Sequence, residues 1–209
     1  MDGLLIDSEP HWQEAANETL QHYNKKLTTE LYATTTGLRT KEFVQYWFRY
    51  FKIPATEYAA AEKKITDLVT EKIKKKPAVM PAVPYIINFF RERNFKIGIA
   101  SSSPASIIEM VMQLCNITEC IHVYVSAEEM EYGKPHPQVY LECAKQLDVD
   151  PSACICFEDS FNGMIAVKAA RMKCVIVPSL TGIRDPRWAA ADLKIASLQN
   201  FNELHLNMF

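Results

Sequence analysis

Four short clusters in this 209-residue sequence carry side chains suited to holding phosphate and a hard cation. Glu158 and Asp159 directly follow the apolar run 153–157. Adjacent carboxylates repel, and a strand end that tolerates both usually has a cation to hold. Magnesium, with hard oxygen ligands and retained waters, fits better than zinc, because suitable thiolate and imidazole ligands are absent nearby. A capping Asp159-Ser160 pair for the next helix would account for Ser160 but not for both acids. Lys134, fixed between Gly133 and Pro135 in the run G-K-P-H-P, supplies a positive charge that can neutralise a carboxylate or a transferring phosphoryl group. A solvated loop lysine is the plainer alternative, and His136 reads as a helix-start residue rather than a ligand. Ser101 and Ser102, in the run S-S-S-P after the apolar residues 95–100, can offer hydroxyls and backbone N–H groups to phosphate oxygens. Taken alone, serine before Pro104 reads better as a helix N-cap. Asp2 and Asp7 flank a glycine, Gly3, and as an isolated pair they read as turn formers.

These clusters need strand ends to bring them together. From residue 82 onward, short apolar runs at 95–100, 122–125, 153–157, 174–177 and 193–196 alternate with helical spacing at 107–114, 139–147 and 164–170. That alternation predicts a parallel sheet joined by right-handed crossover helices. Residues 11–76 differ in kind, with apolar positions recurring at helical spacing: Trp12-Ala16-Leu20-Tyr23, Phe43-Trp47-Tyr50-Phe51 and Ile65-Leu68-Val69-Ile73. Such aromatic stripes read as core. Three prolines within 77–84 then mark a linker back to the sheet. The expected fold is α/β: a Rossmann-like parallel sheet core over 1–10 and 82–209, an inserted all-helical cap over 11–76, and a linker over 77–81. The opening segment and the linker would together form a two-stranded hinge. A strand should also lead into Asp2, since carboxylates of α/β folds gather at the carboxyl ends of strands, so the first core strand is expected to be largely missing from the chain.

Composition narrows the function classes. Hydrophobic residues make up 48% of the chain, an ordinary globular share, and the net charge is −2 with no long run of one sign beyond Lys74-Lys75-Lys76. Those lysines suit the end of a helix. Nothing suggests nucleic acid as a partner, and no apolar stretch approaches the ~18 residues of a membrane span. Acids rather than basic residues occupy the start, unlike a signal peptide. Six cysteines show no C-x-x-C pair, which favours reduced core thiols in a cytoplasmic protein.

Taken in order, D-G-x-x-x-D-S-E, a helical insert, S-S-S after a strand, G-K-P-H-P and E-D-S-x-N-G resemble the haloacid dehalogenase-like phosphatases over essentially the whole chain. The segments LLIDSEP, GKPHPQVYLECA and EDSFNGMIAVKAARM are most similar to the hexitol phosphatase and 2-deoxyglucose-6-phosphate phosphatase branch, with beta-phosphoglucomutases more distant. The resemblance implies a magnesium-dependent phosphatase of small sugar or sugar-alcohol phosphates that works through a phosphoaspartate. In the family, the first Asp of D-x-D-G is the nucleophile and the second is the general acid/base. Asp2 matches the second, so the resemblance places the nucleophile immediately before Met1, and the chain as written is expected to be inactive. It further implies Ser101 as the phosphate-binding hydroxyl, with Ser102 beside it, and Lys134 as the catalytic, phosphate-contacting cation. The implied metal donors are Asp2 and Asp159, with Glu158 direct or one layer out. Gly37-Leu38-Arg39-Thr40 falls in the cap loop that faces the active site, which makes Arg39 a candidate contact to a substrate hydroxyl; a solvent-exposed arginine is the equal alternative. The expected state is a monomer. Two other functions stay open: a catalytically dead, truncated phosphate-binding member, and a sugar phosphomutase with a second phosphate site in the cap.

Overall fold

The computed structural model describes residues 1–179 and 182–209. Its first third is helical, as the apolar spacing requires. Helices α1 (Glu9–Gln21), α2 (Thr29–Ala33), α3 (Thr40–Tyr50) and α4 (Tyr58–Lys75) pack mainly through α1 against α4 and α3 against α4. Pro10 sits in the first turn of α1, where a missing N–H leaves no hydrogen bond unmade. Leu20, Ile65, Val69 and Ile73 are fully buried between α1 and α4, each worth about 1.5–3 kcal/mol for leaving water. On α3 the buried stripe is Phe43, Val44, Trp47 and Phe48. Tyr50, expected on that stripe, is 61% exposed, because Phe48 takes the inward position. The buried indole of Trp47 donates from Nε1 to Thr35 Oγ1 at 2.9 Å. α4 ends at Lys75 with Lys72, Lys74 and Lys75 in its last turn, where cations meet the negative end of the helix dipole.

Two chain crossings join this helical layer to the sheet. Met80 N donates to Leu5 O at 2.9 Å and Asp7 N to Ala78 O at 2.8 Å, so Ile6 and Val79 form an antiparallel bridge. Ile6 at its centre is completely buried. The proline tract runs straight into a helix. Helix α5 (Val83–Arg91) begins inside it, with Pro84 tolerated in the first turn, and buries Ile86, Ile87, Phe89 and Phe90.

Strands β1 (Gly98–Ser101), β2 (Val123–Ser126), β3 (Ile155–Glu158), β4 (Lys173–Ile176) and β5 (Leu193–Lys194) all pair in parallel. Helices α6 (Ala105–Leu114), α7 (Gln138–Gln146) and α8 (Phe161–Ala169) connect them, and the short α9 (Glu203–Leu206) closes the chain. Register runs Gly98 to Val123 and Ser101 to Ser126 on one side, and Ile155 to Lys173 and Glu158 to Ile176 on the other. β1 starts later than the apolar run at 95 because Asn94 turns the chain at φ 59°, leaving Phe95 half out in solvent. The strands fall into two sheets, β1-β2 and β3-β4-β5, so among the described residues β1 and β3 are each paired along one edge only. An apolar cleft of about 510 Å³ lies between those edges, lined by Ile99 and Ala100 from β1, Ile155 and Phe157 from β3, and Leu4 and Leu5. The strand expected to lead into Asp2 is not among the described elements.

All six cysteines are free thiols. Burial pushes Cys143 and Cys174 up to about 12, far from thiolate reactivity at neutral pH. Among the described residues, no helix is long and apolar enough to cross a membrane.

Candidate active site

β3 delivers its two acids to different tasks. Glu158 is buried, and its Oε1 accepts from Lys134 Nζ at 2.5 Å and from the Tyr140 hydroxyl. Its Oε2 accepts from the backbone N–H groups of Asp159 and Ser160 at 3.2 and 3.3 Å, and from Ser160 Oγ at 3.1 Å. Both oxygens are therefore committed within the protein. Burial by itself would raise this carboxyl, but the Lys134 ammonium beside it outweighs burial and holds it down at about 2. Glu158, expected as a direct or outer metal donor, thus sits where it fixes Lys134. Gly163 makes the room, because a Cβ there would lie 2.1 Å from the Glu158 carboxyl.

Asp159 has the opposite surroundings. No described side chain donates to its carboxylate, and the backbone of Gly3 approaches it so closely that a Cβ would lie 2.0 Å from Oδ2. Gly3 has φ +67°, a left-handed conformation that costs glycine little. Burial, followed by the neighbouring Glu158 carboxylate, pushes Asp159 up to about 7, with Asp2 adding to the rise. Ser160 caps α8 by accepting from Gly163 N at 3.0 Å, so the helix-cap reading holds for Ser160 while both acids do other work.

Asp2 is held by three donors. Ser8 Oγ at 2.5 Å and Trp12 Nε1 at 3.0 Å reach Oδ1, and Ser103 Oγ at 2.8 Å reaches Oδ2. That carboxylate is an oriented group, not a turn former. Ser103 therefore does not cap α6, whose N-cap position is Pro104. Ser101, at the carboxyl end of β1, is buried and accepts from Ser103 N at 3.1 Å, which curls the loop so that both hydroxyls face inward. Ser102 donates to Gly37 O at 2.8 Å and so ties the sheet to the cap.

Asp2, Ser101, Ser102, Lys134, Glu158 and Asp159 all line one cavity of about 80 Å³. Its opposite wall comes from α1 and the cap, including Glu9, Trp12, Tyr32, Leu38 and Phe43. Arg39 is not brought into that cavity. Its Nη1 donates to Ala127 O at 3.1 Å and Met130 O at 2.5 Å, and its Nη2 pairs with Glu42 at 2.6 Å. Arg39 is neither solvent-exposed nor beside the cavity: it latches the cap to the loop before Lys134, and Gly133 N reaches the same Glu42 at 3.3 Å. His136 Nδ1 accepts from Gln138 N at 3.2 Å, the helix-start role expected of it.

Several groups that build the site were not singled out by sequence. Ser103, Ser8 and Trp12 orient Asp2, and Tyr140 supports Glu158. Trp12 was assigned to the helical stripe on spacing alone, and an indole that needs an acceptor when buried was the signal available. Glu9 closes the D-G-x-x-x-D-S-E run, but the sequence reading gave it no role of its own.

The model of the family described as haloacid dehalogenase-like hydrolase matches residues 1–177. Hexitol phosphatase B of Escherichia coli strain K12 is 36% identical over 200 residues, covering 95% of this chain and 90% of that protein. The fructose-1-phosphate phosphatase of the same organism is 27% identical over 177 residues, covering 85% and 93% respectively. Among solved structures, beta-phosphoglucomutase from Clostridium difficile superposes with a TM-score of 0.88 at 20% identity over 99% of this chain and 92% of that one, a shared fold.

Proposed function

The chain belongs to the haloacid dehalogenase-like hydrolase family, and on that footing we propose that it is a magnesium-dependent phosphatase of small sugar or sugar-alcohol phosphates, working through a phosphoaspartate. The observation that carries the reading is the convergence of Asp2, Ser101, Lys134 and Asp159 on one cavity roofed by the helical cap. Ser101 holds a phosphate oxygen by its hydroxyl, and Lys134, immobilised by Glu158, neutralises charge on the transferring group. Asp2, aimed by Ser8, Trp12 and Ser103, gives a proton to the leaving oxygen and later takes one from water. The latch through Arg39 and Glu42 holds the cap over these groups, which keeps bulk water out during transfer.

Magnesium suits the donors present. It binds through one or two carboxylates with waters and substrate oxygens completing its shell, and Asp159 offers a carboxylate with no donor among the described side chains while Asp2 lies at the same cavity. Among the described residues no group of three or more His, Cys, Asp or Glu forms a closed cage, a set that zinc or a structural ion would favour. When bound, the ion would neutralise charge on the phosphoryl oxygens.

The nucleophile in this reading is an aspartate immediately before Met1, at the end of a strand. Support comes from the cleft between β1 and β3, two parallel edges facing each other across apolar walls whose carboxyl ends both open on the catalytic cavity. A phosphomutase would need a second phosphate site in the cap. Among the described residues lining the cavity from the cap there is no lysine or arginine, which favours hydrolysis.

The test compares the 209-residue chain with one extended by an apolar strand ending in Asp-Met1, on a panel of hexose, hexitol and deoxysugar phosphates with magnesium. The extended protein should release phosphate. The 209-residue chain should release none above background, since losing a covalent nucleophile removes on the order of 10⁶-fold in rate. Robust turnover by the shorter chain would show that the upstream Asp is dispensable. No turnover by either would leave a phosphate-binding protein.

A further inference from the structure

The chemistry above leaves one carboxylate of the cavity unused. Glu9, at the start of α1, lines the cavity between the catalytic groups and the cap. Its Oε2 accepts from the Tyr32 hydroxyl at 3.4 Å, a bond near the limit of useful length, and no described donor reaches Oε1. Burial first, and the Asp159 and Asp2 carboxylates next, push this carboxyl up to about 8. Glu9 is half-buried on the cavity wall, and a carboxyl with a single long bond there has hydrogen-bonding capacity left for a partner. On the cap side the cavity is lined by apolar Trp12, Leu38, Phe43 and Ile65 and by the uncharged Thr35, Thr36 and Thr40. A lining of apolar surface and neutral hydroxyls around an adaptable carboxyl suits the carbon-and-hydroxyl body of a polyol rather than a second anion, which the nearby carboxylates would repel.

We infer that Glu9, together with Tyr32, is the subsite that grips a hydroxyl of the substrate's non-phosphorylated part, and so selects for polyol and sugar phosphates over phosphate alone. The inference rests on the sugar-phosphatase reading. Because α1 belongs to the cap side and Asp2 is oriented by the same helix through Trp12, a hydroxyl held at Glu9 would register the sugar against the phosphoryl site.

Binding, measured by calorimetry on the 209-residue chain without turnover, separates the possibilities. The ligands are a hexitol 6-phosphate and inorganic phosphate, each with magnesium. Glu9→Ala should weaken the hexitol phosphate by about tenfold or more, the usual worth of a hydrogen bond to a charged or buried group, while inorganic phosphate changes less than about twofold. Glu9→Gln, which keeps the shape and the hydrogen-bonding capacity, should stay within about threefold of the parent. Tyr32→Phe should show the same selective loss, smaller in size, and serves if Glu9→Ala does not fold. Equal losses for both ligands would make Glu9 a structural or phosphate-site residue, and no loss for either would make it idle; both results overturn the inference. If the parent chain binds hexitol phosphate no more tightly than phosphate, the substrate class falls, and this inference with it.

Discussion

Removing the Lys134 ammonium would leave the Glu158 carboxylate buried with only Tyr140, the Ser160 hydroxyl and the backbone N–H groups of Asp159 and Ser160 to hold it. Lys134→Met should therefore destabilise the fold by about 3–5 kcal/mol in urea titration, the usual cost of orphaning one partner of a buried pair. Lys134→Met combined with Glu158→Gln should recover part of that loss, which a surface pair would not show. The two neighbouring acids also pull the pH dependence in opposite senses. Glu158, held at about 2 against an ordinary 4.5, adds stability that is present above pH 4.5 and disappears as pH falls toward 2. Asp159, raised to about 7 from 3.8, adds stability that is present below pH 3.8 and disappears as pH rises through 7. Without divalent cation, Asp159→Asn should then melt higher than the parent at pH 7.5 and equally at pH 3.5. Magnesium should raise the melting temperature of the parent at pH 7.5 and leave Asp159→Asn unchanged; a matching rise in both would remove Asp159 from the metal site.

The loops at the strand ends work because glycines leave them space. Gly3→Ala combines a left-handed φ with a Cβ set 2.0 Å from the Asp159 carboxylate, so Asp159 must move. Overpacking of this kind costs about 1–3 kcal/mol, and the variant should lose its magnesium-induced melting shift even where it still folds. Ser160→Ala removes the cap of α8 and one donor to Glu158, for an expected loss of about 1 kcal/mol or somewhat more. These elements were partly legible beforehand. Helical period and βα alternation gave the parallel strands and most helices, because apolar spacing is what burial acts on. Helix α5 was hidden by its own start, since Pro84 reads as a breaker until its place in the first turn is known. The candidate groups Asp2, Ser101, Lys134 and Asp159, which converge on one cavity, were legible as ordered motifs. Glu158 and Arg39 were legible as a candidate metal donor and a candidate substrate contact, but which neighbour each one meets depends on loops folding back from residues 24 and 88 positions away, beyond the reach of local pattern.

Cap and sheet meet through the Ile6–Val79 bridge, the Ser102–Gly37, Asn162–Thr36 and Gly133–Glu42 contacts, and Arg39 reaching Ala127 and Met130. Arg39→Ala should loosen the closed arrangement, seen as faster amide exchange in α3 and the 127–134 loop with little change in β3 and β4. Uniform acceleration throughout would mean that Arg39 simply supports global stability. The two sheets add a second joint. Each is assembled from strands that are near neighbours in sequence, so each half can acquire its order independently and early. Ser101 rides on one half and Glu158 with Asp159 on the other, and the cleft leaves no backbone ladder between them. Among the described residues, the spacing of these cavity-lining groups is therefore set by side-chain packing across a seam. A breathing motion there would put these groups out of register while both halves stay folded, whereas a strand seated in the cleft would join the halves by backbone ladders, so the extended protein should hold the groups more rigidly than the 209-residue chain.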